Sequence, residues 1–346
     1  MKKVLILLAT LSIGMNCPAE EPSVMMDLKE LYRVSKESYK VNQEGEKITL
    51  SDEERWAYQK ETRERVRPIM EREFAKLVEG EVTPLARELL NSPEAMDFGR
   101  GILLSQGGYS VDVQSSVLNT AFSATSDSLR GELLSYFMLS VLPKEVFSGS
   151  EIQEWLVGQV NSGLSNWEIY YILTDESAKA VTKTARASMK QFSKVERGLR
   201  DNAFSLQSAS FLASREDGEA LTFLESLVDE RDIDSRLDQN YIIPAAAMTG
   251  NEKLIQKIRD IITTDERSIS YSPSIRPREF SFANVAAGAC SFIFEGFPEV
   301  KLGAFDEETK KKVHDWLKDN PTHIIEFDPR EFFKKFNNWN ERWYVD

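Results

Sequence analysis

Four apolar positions recur at a fixed distance between Ala203 and Thr263. Leu221, Leu224, Leu227 and Val228 return 34 residues later as Ile255, Ile258, Ile261 and Ile262. Each quartet has the spacing of one face of an α-helix. Each is preceded by a turn, Asp217-Gly218 in one case and Thr249-Gly250-Asn251 in the other. A further apolar run precedes each turn: Phe204, Leu206, Ala209, Phe211 and Leu212 first, then Ile242, Ile243, Ala245, Ala246 and Met248. A period of about 34 residues belongs to a two-helix unit, which cannot bury its apolar face alone and must stack on a neighbour. The expectation is an all-α chain, an α/α superhelix or solenoid of antiparallel helix pairs with an N-terminal helical extension.

The rest of the chain is divided on the same logic. Residues 1–19 read as a signal peptide, 20–80 as the helical extension, 81–320 as the repeat domain and 321–346 as an aromatic C-terminal cap. In the extension, Val24 to Tyr39 has helical spacing, and the polar stretch from Val41 to Ser51 reads as a linker around Gly45. Ser51 and Glu54 then have the spacing of a capping box. Pro68 is expected to kink or restart the helix that follows. From Thr83 to Phe192, glycine and proline breaks separate short helical spans with no alternating strand pattern. A third copy of the pair covers Phe282 to Phe294 and Asp306 to Lys318. Between the second and third copies, Ser268 to Arg278 carries Pro273 and Pro277 and reads as an insertion at one edge of the stack.

The helix-turn-helix spacing and the lack of strand pattern over about Thr83 to Asn320 resemble the HEAT and armadillo class of helical repeats. That resemblance implies an architecture and carries no activity with it. Tetratricopeptide units have a similar length, but their Trp, Gly, Tyr and Pro signature does not occur here.

The N-terminus has the three parts of a secretory signal: Lys2 and Lys3, an apolar run from Val4 to Met15, and a short segment ending at Pro18-Ala19. The run falls short of the roughly 20 residues of a membrane-spanning helix. A periplasmic or secreted location is expected, with lipid anchoring at Cys17 as the alternative. Removal of the signal leaves Cys290 alone, within a run of small residues that suits a packed thiol. The net charge of −13 makes nucleic acid and anionic lipid poor partners.

Motifs for chemistry are sparse. His314 and His323 are the two histidines, and no metal site or cofactor is expected from their spacing. Asp232 and Asp234 begin a calcium-loop pattern that Arg236 interrupts. No nucleophile elbow or phosphate loop occurs. Asp and Glu number 56, so carboxylate pairs cannot single out a glycosidase site. The pairs Asp52-Glu53 and Glu307-Glu308 stand at helix starts, where negative charge complements the helix dipole.

Aromatic clusters and two arginines remain as candidate binding residues. Trp167, Tyr170 and Tyr171 share adjoining helix faces, and Trp339 and Trp343 lie in a tail that also holds Phe332, Phe333, Phe336 and Tyr344. The tail reads as a cap over the last repeat, and alternatively as a ring platform for a sugar or extended peptide. Arg276 and Arg278 in the insertion offer fixed positive charge on an acidic body. The expected function is a non-enzymatic scaffold for a protein or peptide partner, and the alternative is an envelope enzyme acting on glycan.

Overall fold

The computed structural model describes residues 21–37, 39–41, 45–93, 109–139, 142–163, 168–192, 199–230, 242–264, 268–271, 278–301, 305–320 and 328–341. The signal segment and Cys17 lie outside them. The described residues are overwhelmingly helical, successive helices pack on one another, and the fold is all-α and solenoid-like. The chain divides into two compact units between Gly149 and Ser150.

The first unit contains α1 (Glu21–Glu37), a hairpin of β1 (Tyr39–Val41) and β2 (Lys47–Thr49), and the long α2 (Asp52–Val78). It continues through α3 (Pro84–Asn91), α4 (Val111–Ala124), α5 (Asp127–Leu139) and a 3-10 turn at Lys144–Phe147. Leu28 of α1, Val66, Met70, Phe74 and Leu77 of α2, Leu85 and Leu89 of α3 and Val117 of α4 form one core. Arg65 ties α2 to α1 through a two-pronged bond to Asp27, at 2.9 and 2.8 Å. Glu73 is buried on α2, where Arg72 Nε donates to it at 3.0 Å and the Thr83 hydroxyl also donates. The same Thr83 oxygen accepts from Ala86 N–H at the start of α3, so one buried carboxylate fixes the corner between two helices.

Two expectations for this unit are corrected. Pro68 lies inside α2, which the structure carries as one element from Asp52 to Val78. The proline is exposed while Val66 and Met70 beside it are buried, so the hydrogen bond it forfeits faces water and the core contacts hold both halves in line. The stretch read as a polar linker is instead the β1–β2 hairpin, with Tyr39 opposite Thr49 and Val41 opposite Lys47. Three pairs are too few for an alternating pattern to show. The Tyr39 ring holds the ladder, with Lys47 Nζ 4.4 Å from its centroid and Arg33 at 6.0 Å. Gly45 adopts φ 84° in the turn. The capping box at Ser51 and Glu54 is present.

The second unit opens with α6 (Ser150–Asn161), the short α7 (Ile169–Ile172) and α8 (Asp175–Met189). Buried Gln153 of α6 donates to Ile172 O at 3.0 Å and accepts from Thr174 N–H at 2.9 Å, which places α7. The two clear repeats follow as α9 (Leu199–Ala213) with α10 (Gly218–Asp229), and α11 (Ile243–Met248) with α12 (Glu252–Thr264). Next come β3 (Ser268–Tyr271), β4 (Arg278–Ser281), α13 (Phe282–Cys290), α14 (Glu307–Asp319) and α15 (Pro329–Glu341). First helices pack in one row, α9 on α11 and α11 on α13, and second helices in another, α10 on α12. Arg259 extends the second row: buried on α12, it donates to Leu317 O at 3.0 Å and Asn320 O at 3.3 Å, satisfying carbonyls at the end of α14.

The 34-residue period survives, shifted by one position. Ala220, Leu224, Leu227 and Val228 are buried, as are Leu254, Ile258, Ile261 and Ile262, whereas Leu221 is half-buried. At about 100° per residue, position 220 lies nearer the centre of the stripe than 221 does. The period also holds for the backbone. Gly250 has φ 66°, and Glu216, 34 residues earlier, has φ 63°. Each closes the first helix of its pair in the left-handed region before Asn251 or Asp217 caps the second.

The insertion is likewise corrected, because its arms pair as an antiparallel ladder from Ser268 opposite Ser281 to Tyr271 opposite Arg278. Its sequence prolines fall between the arms and mask the short alternation. Cys290 is fully buried, and burial pushes its thiol up to about 12, as suits a packed core group.

Two stability outcomes follow. Glu216→Gly removes a side chain from a left-handed position and should raise stability by up to about 1 kcal/mol, read as a higher urea midpoint with unchanged slope. Arg259→Ala leaves two helix-end carbonyls without their donor and should cost about 1–3 kcal/mol by the same measurement.

Candidate functional site

The equivalent turns of the two clear repeats lie side by side and enclose an open cleft of about 520 Å³. Ala213, Ser214 and Glu216 form one wall, and Thr249, Gly250, Asn251, Glu252 and Lys253 the other. The lining is short polar side chains and main chain because both walls are helix ends, where capping groups replace apolar ones. Thr249 Oγ1 donates to Ala246 O at 2.7 Å and accepts from Asn251 N–H at 3.1 Å. Asn251 Oδ1 accepts from Lys253 N–H at 3.0 Å and Leu254 N–H at 3.3 Å. Lys253 is held by Glu225 at 2.7 Å, and one turn on Lys257 is held by Asp229, so two lysines of α12 pair with two acids of α10.

Beside this cleft Asp217 accepts from Ala220 N–H at 3.0 Å and from the Arg186 guanidinium of α8. Arg186 also reaches Glu219 at 3.6 Å, and Lys190 reaches Glu219 at 3.0 Å. Burial alone raises the Asp217 carboxyl, but the bonds from Arg186 and from the Ala220 and Glu219 amides outweigh it and hold the group below the ordinary carboxylate range. A second, smaller cavity of about 260 Å³ lies between α12 and α14, lined by Gln256, Arg259, Asp260, Thr263, His314, Leu317 and Lys318. Its polar groups already serve the fold, since Arg259 caps α14 and His314 Nε2 lies 3.4 Å from Ile262 O.

The residues singled out in the sequence fall in different places. Trp167, Arg276 and Trp343 lie outside the described residues. Arg278 opens β4, and Trp339 lies on α15, their side chains also outside the described set. Tyr170 is in the core, its ring stacked on Phe211 at 4.6 Å and its hydroxyl 3.0 Å from Ser208. Tyr171 is half-buried beside it, with its hydroxyl 3.0 Å from Ser210. Both phenols are raised above their ordinary range, chiefly by burial, and at Tyr171 the Asp328 carboxylate adds to this. These rings join α7 to α9 and present no open platform.

The tail does close an apolar surface, though the surface is a side of the stack. Phe332 and Phe336 of α15 are buried, and α15 packs on α11 and α13, the first helices of two successive pairs. Sequence reasoning passed over Arg259, Asp328 and Arg330. A single Arg beside an apolar stripe gives no sign that helix-end carbonyls await it 58 residues away. Among the described residues, no group of three or more His, Cys, Asp or Glu could hold a metal ion, and no helix is long and apolar enough to cross a membrane.

The packed helix pairs are compatible with a helical-repeat architecture. Comparison of the chain with protein families, with curated proteins and with solved structures finds no match.

The charge on Asp217 gives a pH-dependent outcome. Its pKa is depressed in the folded state, so its contribution is present above the unfolded value of about 4 and lost as pH falls through the folded value. Asp217→Asn keeps the cap and removes the charge. Wild type should exceed the variant in urea midpoint at pH 7, and the difference should close below about pH 4.

Proposed function

We propose that this chain is a non-enzymatic scaffold of the HEAT or armadillo kind that acts outside the cytoplasm, periplasmic or secreted, and binds a protein or peptide partner. The observation that carries this reading is the open cleft between the turns at 213–216 and 249–253. Repeat stacks set equivalent turns in a row, so each pair adds main-chain donors and acceptors to one edge, suited to an extended polypeptide. The exchangeable polar lining favours binding, since no titratable group in it is poised for proton transfer. Export rests on Lys2, Lys3 and the apolar run from Val4 to Met15, and the net charge of −13 argues against nucleic acid as the partner. The insertion arginines Arg276 and Arg278 belong to the same proposal as paired donors for a carboxylate on the partner.

A photo-crosslinking residue placed at Ser214 or Asn251 should recover one protein in near-stoichiometric amount from envelope extract, and one placed at exposed Glu61 should not. Replacing Arg276 and Arg278 by Ala should weaken that recovery. Turnover of purified cell-wall glycan, abolished by replacing a paired Asp or Glu, would instead establish the chain as an enzyme.

A further inference from the structure

The row of first helices has a surface that the two-helix repeat alone leaves uncovered. Every residue of α11 is buried, and so is every residue of α13. The two segments, Ile-Pro-Ala-Ala-Ala-Met and Phe-Ala-Asn-Val-Ala-Ala-Gly-Ala-Cys, are apolar or small around nearly the whole circumference. Such helices need cover on every side. Second helices cover one side, and α15 lies on the other.

The way α15 sits there is that of an amphipathic helix in a groove. It inserts two rings one turn apart, Phe332 and Phe336, stacked at 5.8 Å, and Phe332 meets Phe292 edge-on at 6.4 Å. Its opposite face is solvated, with exposed Glu331 and Lys335 paired at 2.7 Å. At its start, buried Arg330 is locked to Asp328, whose carboxylate lies beside Tyr171. Aromatic anchors at i and i+4 with a solvated back are the recognition mode of helix-in-groove complexes.

From this we infer that the surface over α11 and α13 is a helix-binding groove, that α15 is its occupant in the free chain, and that the partner enters with an amphipathic helix bearing two aromatic residues four apart. The inference rests on the scaffold reading and names the chemistry of its partner. Joined to α14 by residues 320–328, α15 competes at an effective concentration on the order of millimolar, so a partner helix in solution displaces it only when it binds better or the joint is released. The groove is thus closed to weak, unspecific apolar segments and open to a matching one.

The test uses the full chain with a protease recognition sequence placed within residues 321–327, and a fluorescent peptide of residues 328–341. Before cleavage the peptide should bind weakly or not at all. After cleavage it should bind one per chain, at least tenfold more tightly by anisotropy, as it exchanges with α15. The same peptide with Phe332→Ala and Phe336→Ala should fail to exchange. Loss of the helical circular dichroism on cleavage would overturn the inference, because α15 would then be an integral part of the core. Retention of α15 without exchange, or equal binding of the two peptides, would overturn it as well. Exchange is read with the peptide alone, so its failure is distinct from a failure to recover a partner by crosslinking.

Discussion

Burial of α11 and α13 on all sides is the constraint on which the second unit depends. Alanine, glycine and the small Cys290 let neighbouring helices approach closely, so α11 touches α9, α10, α12, α13 and α15 at once. A helix of six residues has little stability of its own. It persists because its surroundings remove all of its apolar surface from water, and those surroundings are therefore held in place by it. The aromatic tail, the second-helix row and the turn clefts are arranged around that fact.

Polar groups at the helix ends do the complementary work of fixing register. Asp217, Asn251 and Asp306 cap second helices through their side chains, and Arg259 serves the far end of α14. Glu73 and Thr83 play a comparable part in the first unit, where a buried carboxylate sets the corner between α2 and α3. Apolar burial is non-directional and would tolerate sliding of one helix along another. Hydrogen bonds to specific carbonyls and amides would be broken by such sliding, and a buried polar group left without its partner is costly. Together they give a stack with a defined edge, and the edge is where the turn cleft opens.

The links between the two rows and the charged surface are weaker but consistent in direction. Lys253 and Lys257 pair with acids of the preceding second helix, and Arg186 and Lys190 with acids beside the α10 cap. Exposed pairs of this kind contribute little each. Their value is in choosing which neighbour a helix faces, since an acidic chain repels itself wherever a lysine or arginine is not interposed.

Much of the helical architecture was legible in the residues themselves. The period of 34, the turns at Asp217-Gly218 and Thr249-Gly250-Asn251, and the cap at Ser51 are local patterns, and local patterns determine helices because their hydrogen bonds close within four residues. The two hairpins were not legible, since ladders of three and four pairs leave no period to read and depend on contacts such as Lys47 over Tyr39. Tyr170 and Tyr171 look alike in sequence to exposed aromatic residues, and only the approach of Ser208, Ser210 and Phe211 decided that they fasten α7 to α9. The tail's Phe332 and Phe336 announce an amphipathic helix, but which surface it covers was a matter of three-dimensional fit. The sequence by itself determined the elements and their repeat. The tertiary structure decided the role of each ring and each buried charge, because those roles come from partners tens of residues away, whose proximity no local pattern encodes.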